Sequence, residues 1–262
     1  MRKPNGRFKH CLRNGNSTLC SLALALLALQ AGVVLPARAQ DSIEVGQFSL
    51  AQEGDAHAPD WEPLYFKKIP AHTVYSLVKD DDTTVVKAVS NAAASGLTRK
   101  ISIDPKQYPV IEWRWKVDNV IQKSDVGRKA GDDYAARIYI TFAYDADKIA
   151  LGRKIKYKTA KLLFGNDTPA GALNYIWENK TAKDTLADNP YTDFVKMIVI
   201  ENASSSAGEW VTERRNVYED YRRAFGEEPP LISGIAIMTD TDNTAESATA
   251  YYGDIVFKSQ AQ

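Results

Sequence analysis

Apolar and polar residues alternate with period two in two clear stretches of the chain. In 110–117, Ile111, Trp113, Trp115 and Val117 fall on one face, and Glu112, Arg114 and Lys116 on the other. In 134–144, Tyr134, Ala136, Ile138, Ile140 and Phe142 share one face, and Ala135, Arg137, Tyr139 and Thr141 the other. Successive side chains of a strand point to opposite faces, so this period predicts strands with one face on a core. Short runs rich in Val, Ile, Tyr, Trp and Thr recur between turn signals. They predict further strands near 43–50, 62–68, 73–79, 84–90, 172–178, 194–201, 209–214, 231–239 and 248–258. Phe194–Ile200 is nearly all apolar and is expected at the centre of a sheet. Many short strands with little helix between them predict an all-β fold, an antiparallel two-sheet sandwich of jelly-roll type.

Helical spacing is confined to two places. Val217, Tyr221, Ala224 and Phe225 form a stripe at i, i+4, i+7 and i+8. Asn216 is placed to cap it with Glu219 in the reciprocal position, and Gly226 can take the left-handed turn that ends it. A weaker pattern predicts a second helix over 153–164.

The N-terminus has a different pattern. Arg2, Lys3, Arg7, Lys9 and Arg13 precede a Leu- and Ala-rich run from Leu19 to Leu35, and Ala37-Arg38-Ala39 closes it. This is the order of a secretory signal, with cleavage expected after Ala39. That reading changes the charge. The whole chain of 262 residues is neutral, with 33 basic and 33 acidic side chains. Residues 1–39 hold six of the basic ones and no acid, so the remaining 223 residues carry −6. Cys11 and Cys20 leave with them, which removes disulfides and cysteine-based metal sites. The expected organisation is a signal peptide (1–39), an N-terminal extension (40–59), a single sandwich domain (60–258) and a short tail (259–262). A negative exported domain disfavours nucleic acid and anionic membrane surfaces as partners. No membrane insertion is expected after cleavage.

Three clusters could carry chemistry. Asp132 and Asp133 follow Gly131 at the mouth of a strand, where paired acids bind a cation, accept sugar hydroxyls or form a turn. On the strand itself, Arg137 could pair with Glu112 if their strands are neighbours. Tyr175, Trp177, Glu178 and Asn179 set aromatics beside a carboxylate and an amide. Proteins hold sugars this way, with rings on C–H faces and polar groups on hydroxyls; a core tryptophan gives the same pattern. The run Asp240-Thr241-Asp242-Asn243-Thr244 after a strand offers oxygens that suit Ca²⁺, without the spacing of an EF-hand. A polar hairpin loop reads the same way. Asp254, in the last strand, could complete such a site with Asp240, Asp242 and Asn243. No nucleophile elbow, phosphate-binding loop or dinucleotide fingerprint is present. His57 and His72 lie early and near no cluster, which disfavours a histidine-based triad or a zinc site.

Six segments together resemble one family. They are Glu-Trp-Arg-Trp-Lys-Val at 112–117, Gly-Asp-Asp-Tyr-Ala-Ala-Arg-Ile-Tyr at 131–139, Tyr-Ile-Trp-Glu-Asn at 175–179, Arg-Asn-Val-Tyr-Glu-Asp-Tyr at 215–221, Ile-Ser-Gly-Ile-Ala-Ile-Met-Thr-Asp-Thr-Asp-Asn-Thr at 232–244 and Ala-Tyr-Tyr-Gly-Asp-Ile at 250–255. The combination resembles the uncharacterised bacterial family called domain of unknown function 3047. The resemblance implies an exported protein of Gram-negative bacteria, periplasmic or secreted, and no assigned catalytic residue. The closing strands are also similar to those of jelly-roll carbohydrate-binding modules, in which an Asp of the final strand often lies near a structural calcium.

These readings lead to an exported binding module for a glycan or similar polyhydroxylated ligand, with Glu112, Arg114, Asp132, Asp133, Arg137, Trp177 and Glu178 as ligand contacts. The alternatives are a carboxylate-based glycan hydrolase or lyase and a structural partner in a cell-envelope assembly. Two acids set about 5–10 Å apart across one cleft would favour the hydrolase.

Overall fold

The computed structural model describes residues 41–55, 57–143, 171–202 and 206–259. The signal peptide expected over 1–39 and the helix expected over 153–164 lie outside the described residues. Among the described residues, thirteen strands form two sheets. The strands of the first half are β1 (Ser42–Gly46), β2 (Glu62–Leu64), β3 (Val74–Asp80), β4 (Thr83–Asn91), β5 (Ala94–Ile103), β6 (Val110–Val117) and β7 (Ala136–Phe142). Those of the second are β8 (Gly171–Glu178), β9 (Leu186–Asn189), β10 (Thr192–Asn202), β11 (Val211–Asn216), β12 (Ile232–Asp240) and β13 (Ser247–Lys258). One sheet has the order β11-β6-β13-β4-β3, with β1 also on β13, and the other has the order β2-β5-β12-β7-β8-β10-β9.

The predicted two-sheet sandwich is what forms, and the alternation explains it. Ile111, Trp113, Trp115 and Val117 of β6 point into one core with Ile138, Ile140 and Phe142 of β7. Trp113 stacks across the layers on Tyr175 of β8 at 5.4 Å, and Trp115 meets Trp177 at 5.7 Å. These aromatics tie the sheets together at their centre, because stacked and tilted ring pairs add to what burial alone contributes. One pairing departs from the antiparallel expectation: β10 runs parallel to β8. The apolar strand β10 does lie inside its sheet, but only β9 stands between it and the edge.

Two strands have no counterpart among the sequence expectations, β5 and β9. Residues Ala94-Ser95-Gly96 of β5 have low strand propensity. They are strand because β12 pairs with all three, and β2 adds a second partner from Gly96 onward. The helix α1 (Val217–Phe225) forms as its caps predict, with the Glu219 N–H donating to Asn216 Oδ1 at 3.0 Å and Gly226 at φ 70°. The described residues make one compact unit. No helix among the described residues is long and apolar enough to cross a membrane.

Candidate functional site: an acidic rim on a buried arginine

At one end of β7 and β12 the chain brings four carboxyl groups around one guanidinium. Gly131 makes the approach to β7 close, since a Cβ there would lie 2.7 Å from Asp125. The next two residues, Asp132 and Asp133, are buried. Arg137 is 1% exposed. Its Nε donates to Asp240 Oδ1 at 2.7 Å, and one terminal nitrogen reaches Asp240 Oδ2 and the Asp132 carbonyl. The other donates to Asp132 Oδ1 at 3.3 Å and to the Tyr139 hydroxyl at 3.1 Å. A guanidinium has five N–H donors, and all five are engaged. The Tyr134 ring lies 4.3 Å from the guanidinium carbon. Arg137 therefore organises the site and has nothing left to offer a ligand.

Asp133 does a different job. Its carboxylate accepts from the N–H groups of Asn243 at 3.3 Å and Thr244 at 2.6 Å, and from Asn243 Nδ2 at 3.1 Å. It thereby shapes the loop after β12. That loop brings Asp242 beside Asp133 and Asp240, with one oxygen of each within 4.8 Å of the others. Burial, and then the neighbouring charges of Asp133 and Asp132, push the Asp242 carboxyl up, against the pull of Arg137. Burial also raises Asp240 well above the ordinary value, although Arg137 opposes it. One guanidinium cannot balance four carboxylates, so the cluster favours either a proton or a cation.

The donor set fits Ca²⁺ in kind, being all oxygen, but Asp133 and Asp240 already accept from Thr244, Asn243 and Arg137. A cation would share oxygens that hold the fold.

The outer rim is half open. Tyr191, in the turn between β9 and β10, is 54% exposed. Its N–H donates to Asn189 Oδ1 at 3.0 Å, and its hydroxyl donates to Asn243 Oδ1 at 2.7 Å. Asn189 in turn donates to Asp132 Oδ2 at 3.2 Å. The Lys129 ammonium lies 5.1 Å from the Tyr191 ring. An aromatic ring, an amide and a carboxylate thus meet at Tyr191, Asn243 and Asp242. That is the sugar-holding combination the sequence located at Trp177 and Glu178.

The expected site residues divide. Asp132, Asp133, Arg137, Asp240, Asp242 and Asn243 come together, although the sequence had assigned them to two functions. Asp254 stands apart: it accepts from the N–H of Ser49 at 2.8 Å and its hydroxyl at 2.5 Å. Asp133 takes its place beside Asp240 and Asp242. Trp177 is a core residue, 1% exposed. Glu178 is fully buried and closes a turn, accepting from Ser124 Oγ at 2.7 Å and from the N–H groups of Lys180 and Thr181. Glu112 does not meet Arg137, because β6 and β7 belong to different sheets; it pairs with Arg214 and Lys258. Arg114 lies with it on the outer face of the six-stranded sheet.

Two other features escaped the sequence. Glu201 of β10 and Glu213 of β11 touch between the sheets, and burial, then the charge of Glu201, pushes the Glu213 carboxyl up to about 7. His57 and His72 line a separate cavity of about 300 Å³ with Tyr75 and Ser95, and His72 packs there on Tyr65 at 4.4 Å. It shares no residue with the acidic rim.

Fold and rim together define a β-sandwich protein with a polar, partly open site at one end of its larger sheet. Residues 59–256 match the model of a family described as protein of unknown function, DUF3047, and the chain belongs to that family. No curated protein sequence matches it. Among solved structures, it is similar to the glycoside hydrolase domain of Endo-D from Streptococcus pneumoniae R6. Identity is 9% and the TM-score 0.32, over 77% of this chain and 22% of that one. It is also similar to a family 30 carbohydrate-binding module of a cellulosomal cellulase from Clostridium thermocellum. Here identity is 7% and the TM-score 0.37, over 84% and 99% of the two chains. At these scores neither likeness bears on function.

Proposed function

We propose that the chain is an exported binding module, acting in the periplasm or outside the cell, for a glycan or similar polyhydroxylated ligand. The ligand is held at the rim formed by Tyr191, Asp242 and Asn243. The observation that carries this reading is the posture of Tyr191. Its hydroxyl is pinned by Asn243 while more than half of the residue stays exposed, next to a carboxylate and an amide. Fixing the ring in advance lowers the entropy lost on stacking a sugar. Arg137, Asp132 and Asp133 support the rim from below. A carboxylate-based hydrolase or lyase needs two acids set apart across a cleft. Among the described residues, Asp132 and Asp240 are engaged by Arg137, Asp133 by main-chain N–H groups, and Glu201 and Glu213 touch each other. Binding is the reading this geometry supports better.

The test is a glycan array followed by titration of the best ligand. Tyr191→Ala should weaken binding about tenfold, the scale of one lost aromatic contact. The melting temperature should hold, because the ring is exposed. A protein that binds no polyol on the array, or a Tyr191→Ala variant that binds as tightly as the parent, would overturn the reading.

A further inference from the structure

The outer face of the six-stranded sheet carries an arrangement that the acidic rim does not explain. Two half-exposed rings lie on it, Trp210 just before β11 and Tyr251 of β13, 6.5 Å apart and edge to face. Cations cover both. The Arg114 guanidinium is 4.5 Å from the Trp210 ring, and the Lys116 ammonium is 5.3 Å from Trp210 and 4.5 Å from Tyr251. The Lys87 ammonium is 5.7 Å from Tyr251.

Lys116 already has a carboxylate partner. It pairs with Asp80 at 2.5 Å, and Asp80 also accepts from Trp210 Nε1 at 2.7 Å. Arg114 and Lys87 are different: among the described residues neither makes an ion pair or a hydrogen bond. Arg114 acts on Asp80 only through its charge. Its flat posture is built in by Gly253. A Cβ at that position would lie 2.4 Å from Arg114 Cγ and 2.5 Å from Nε. Gly253 sits in the middle of a strand without a positive φ. Glycine inside a strand marks a bulge or a close approach; the register of β13 against β6 shifts between Tyr252 and Ile255, and the same position is closely approached. Here the approaching group is the guanidinium itself.

We propose that this face is a binding site for a carboxylated sugar, such as a uronate within an acidic polysaccharide. Trp210 and Tyr251 take the C–H faces of the rings, and Arg114 takes the carboxylate with Lys87 beside it. A guanidinium presents paired N–H donors at the spacing of a carboxylate, which a lysine does not. The acidic rim on the other sheet would repel the same ligand, so the two sites select opposite chemistry. The inference does not depend on the reading of Tyr191.

Calorimetric titration with trigalacturonate tests it, with a neutral galactose trisaccharide and inorganic sulfate as controls. The parent should bind trigalacturonate, more weakly as salt is raised, and should not bind the neutral sugar at this face. Arg114→Gln should weaken binding about tenfold, the loss of one charge-assisted contact. Gly253→Ala should weaken it by displacing the arginine, and Lys87→Gln by less than either. Tyr191→Ala should leave it unchanged, which separates this site from the rim. The proposal is overturned if trigalacturonate does not bind or if folded Arg114→Gln binds it as the parent does. Sulfate competing at equal affinity would also overturn it, marking a general anion site instead.

Discussion

The molecule holds two groups of inward-facing acids and resolves them in opposite ways. Around Arg137, two of four carboxylates are matched by a cation whose five donors are all engaged. Between the sheets, Glu201 and Glu213 meet each other, and among the described residues only Lys183, itself half exposed, pairs with Glu201. Among the described residues, one oxygen of each acid lacks a hydrogen-bond partner. The difference lies in which strands meet. Arg137 and Asp240 stand on neighbouring strands of one sheet, where register sets a salt bridge. Glu201 and Glu213 stand on different sheets, and a proton does there what the arginine does elsewhere. One cluster is therefore built on a buried arginine, and the other on a shared proton.

Removing the arginine should give the largest effect. Arg137→Leu leaves Asp132 and Asp240 buried without their cation, and breaking such a pair from one side costs about 3–5 kcal/mol. Urea unfolding should show this as a lower midpoint, and adding Asp240→Asn should recover part of it. If Arg137→Leu unfolds at the parent's midpoint, the contrast between the two clusters fails.

The glutamate pair should give a smaller effect with a defined pH window. Glu213 titrates near 7 in the folded protein and near 4.5 when unfolded. The folded state thus holds its proton more tightly. The stability this provides is complete below about 4.5 and is lost as pH rises through about 7. Melting temperature should fall between pH 5 and pH 8, and Glu213→Gln should flatten that fall. An equal slope in the variant would assign the pH dependence elsewhere, with Asp240 the next group to examine because its carboxyl is also raised.

The contrast also marks what was legible in the sequence. Period-two alternation revealed β6 and β7 because their two faces differ in polarity. It could not reveal β5, whose Ala-Ser-Gly start is strand only by virtue of its neighbours. The DUF3047 resemblance followed from six segments within 112–255 and the sandwich from strands expected within 43–258, and both hold. Site residues were harder, because spacing along one strand does not say which face meets solvent. Trp177 and Glu178 had the right types for a sugar site and turned inward. Tyr191 has a local signal, the Asn189-Pro190-Tyr191 turn, but its partner Asn243 lies 52 residues away. The Glu201–Glu213 contact joins two sheets, which no local pattern encodes.

Calcium should produce the smallest change, and it sharpens the comparison from the acidic side. Asp133, Asp240 and Asp242 can each turn an oxygen toward one point. Arg137 neutralises only part of their charge, so a divalent cation would relieve what raises Asp240 and Asp242. The site is weakened because Asp240 already serves Arg137 and Asp133 already serves Thr244. At calcium a few times its dissociation constant, the gain is about 1 kcal/mol. The expected result is a rise of a few degrees in melting temperature with calcium, reversed by chelator. Asp242→Asn should abolish the rise. Asp254→Asn should keep it, because Asp254 holds Ser49 on the other sheet. A melting curve indifferent to calcium would mean that Arg137 and protons on Asp240 and Asp242 suffice, and that the acidic rim, like the glutamate pair, is balanced without a metal.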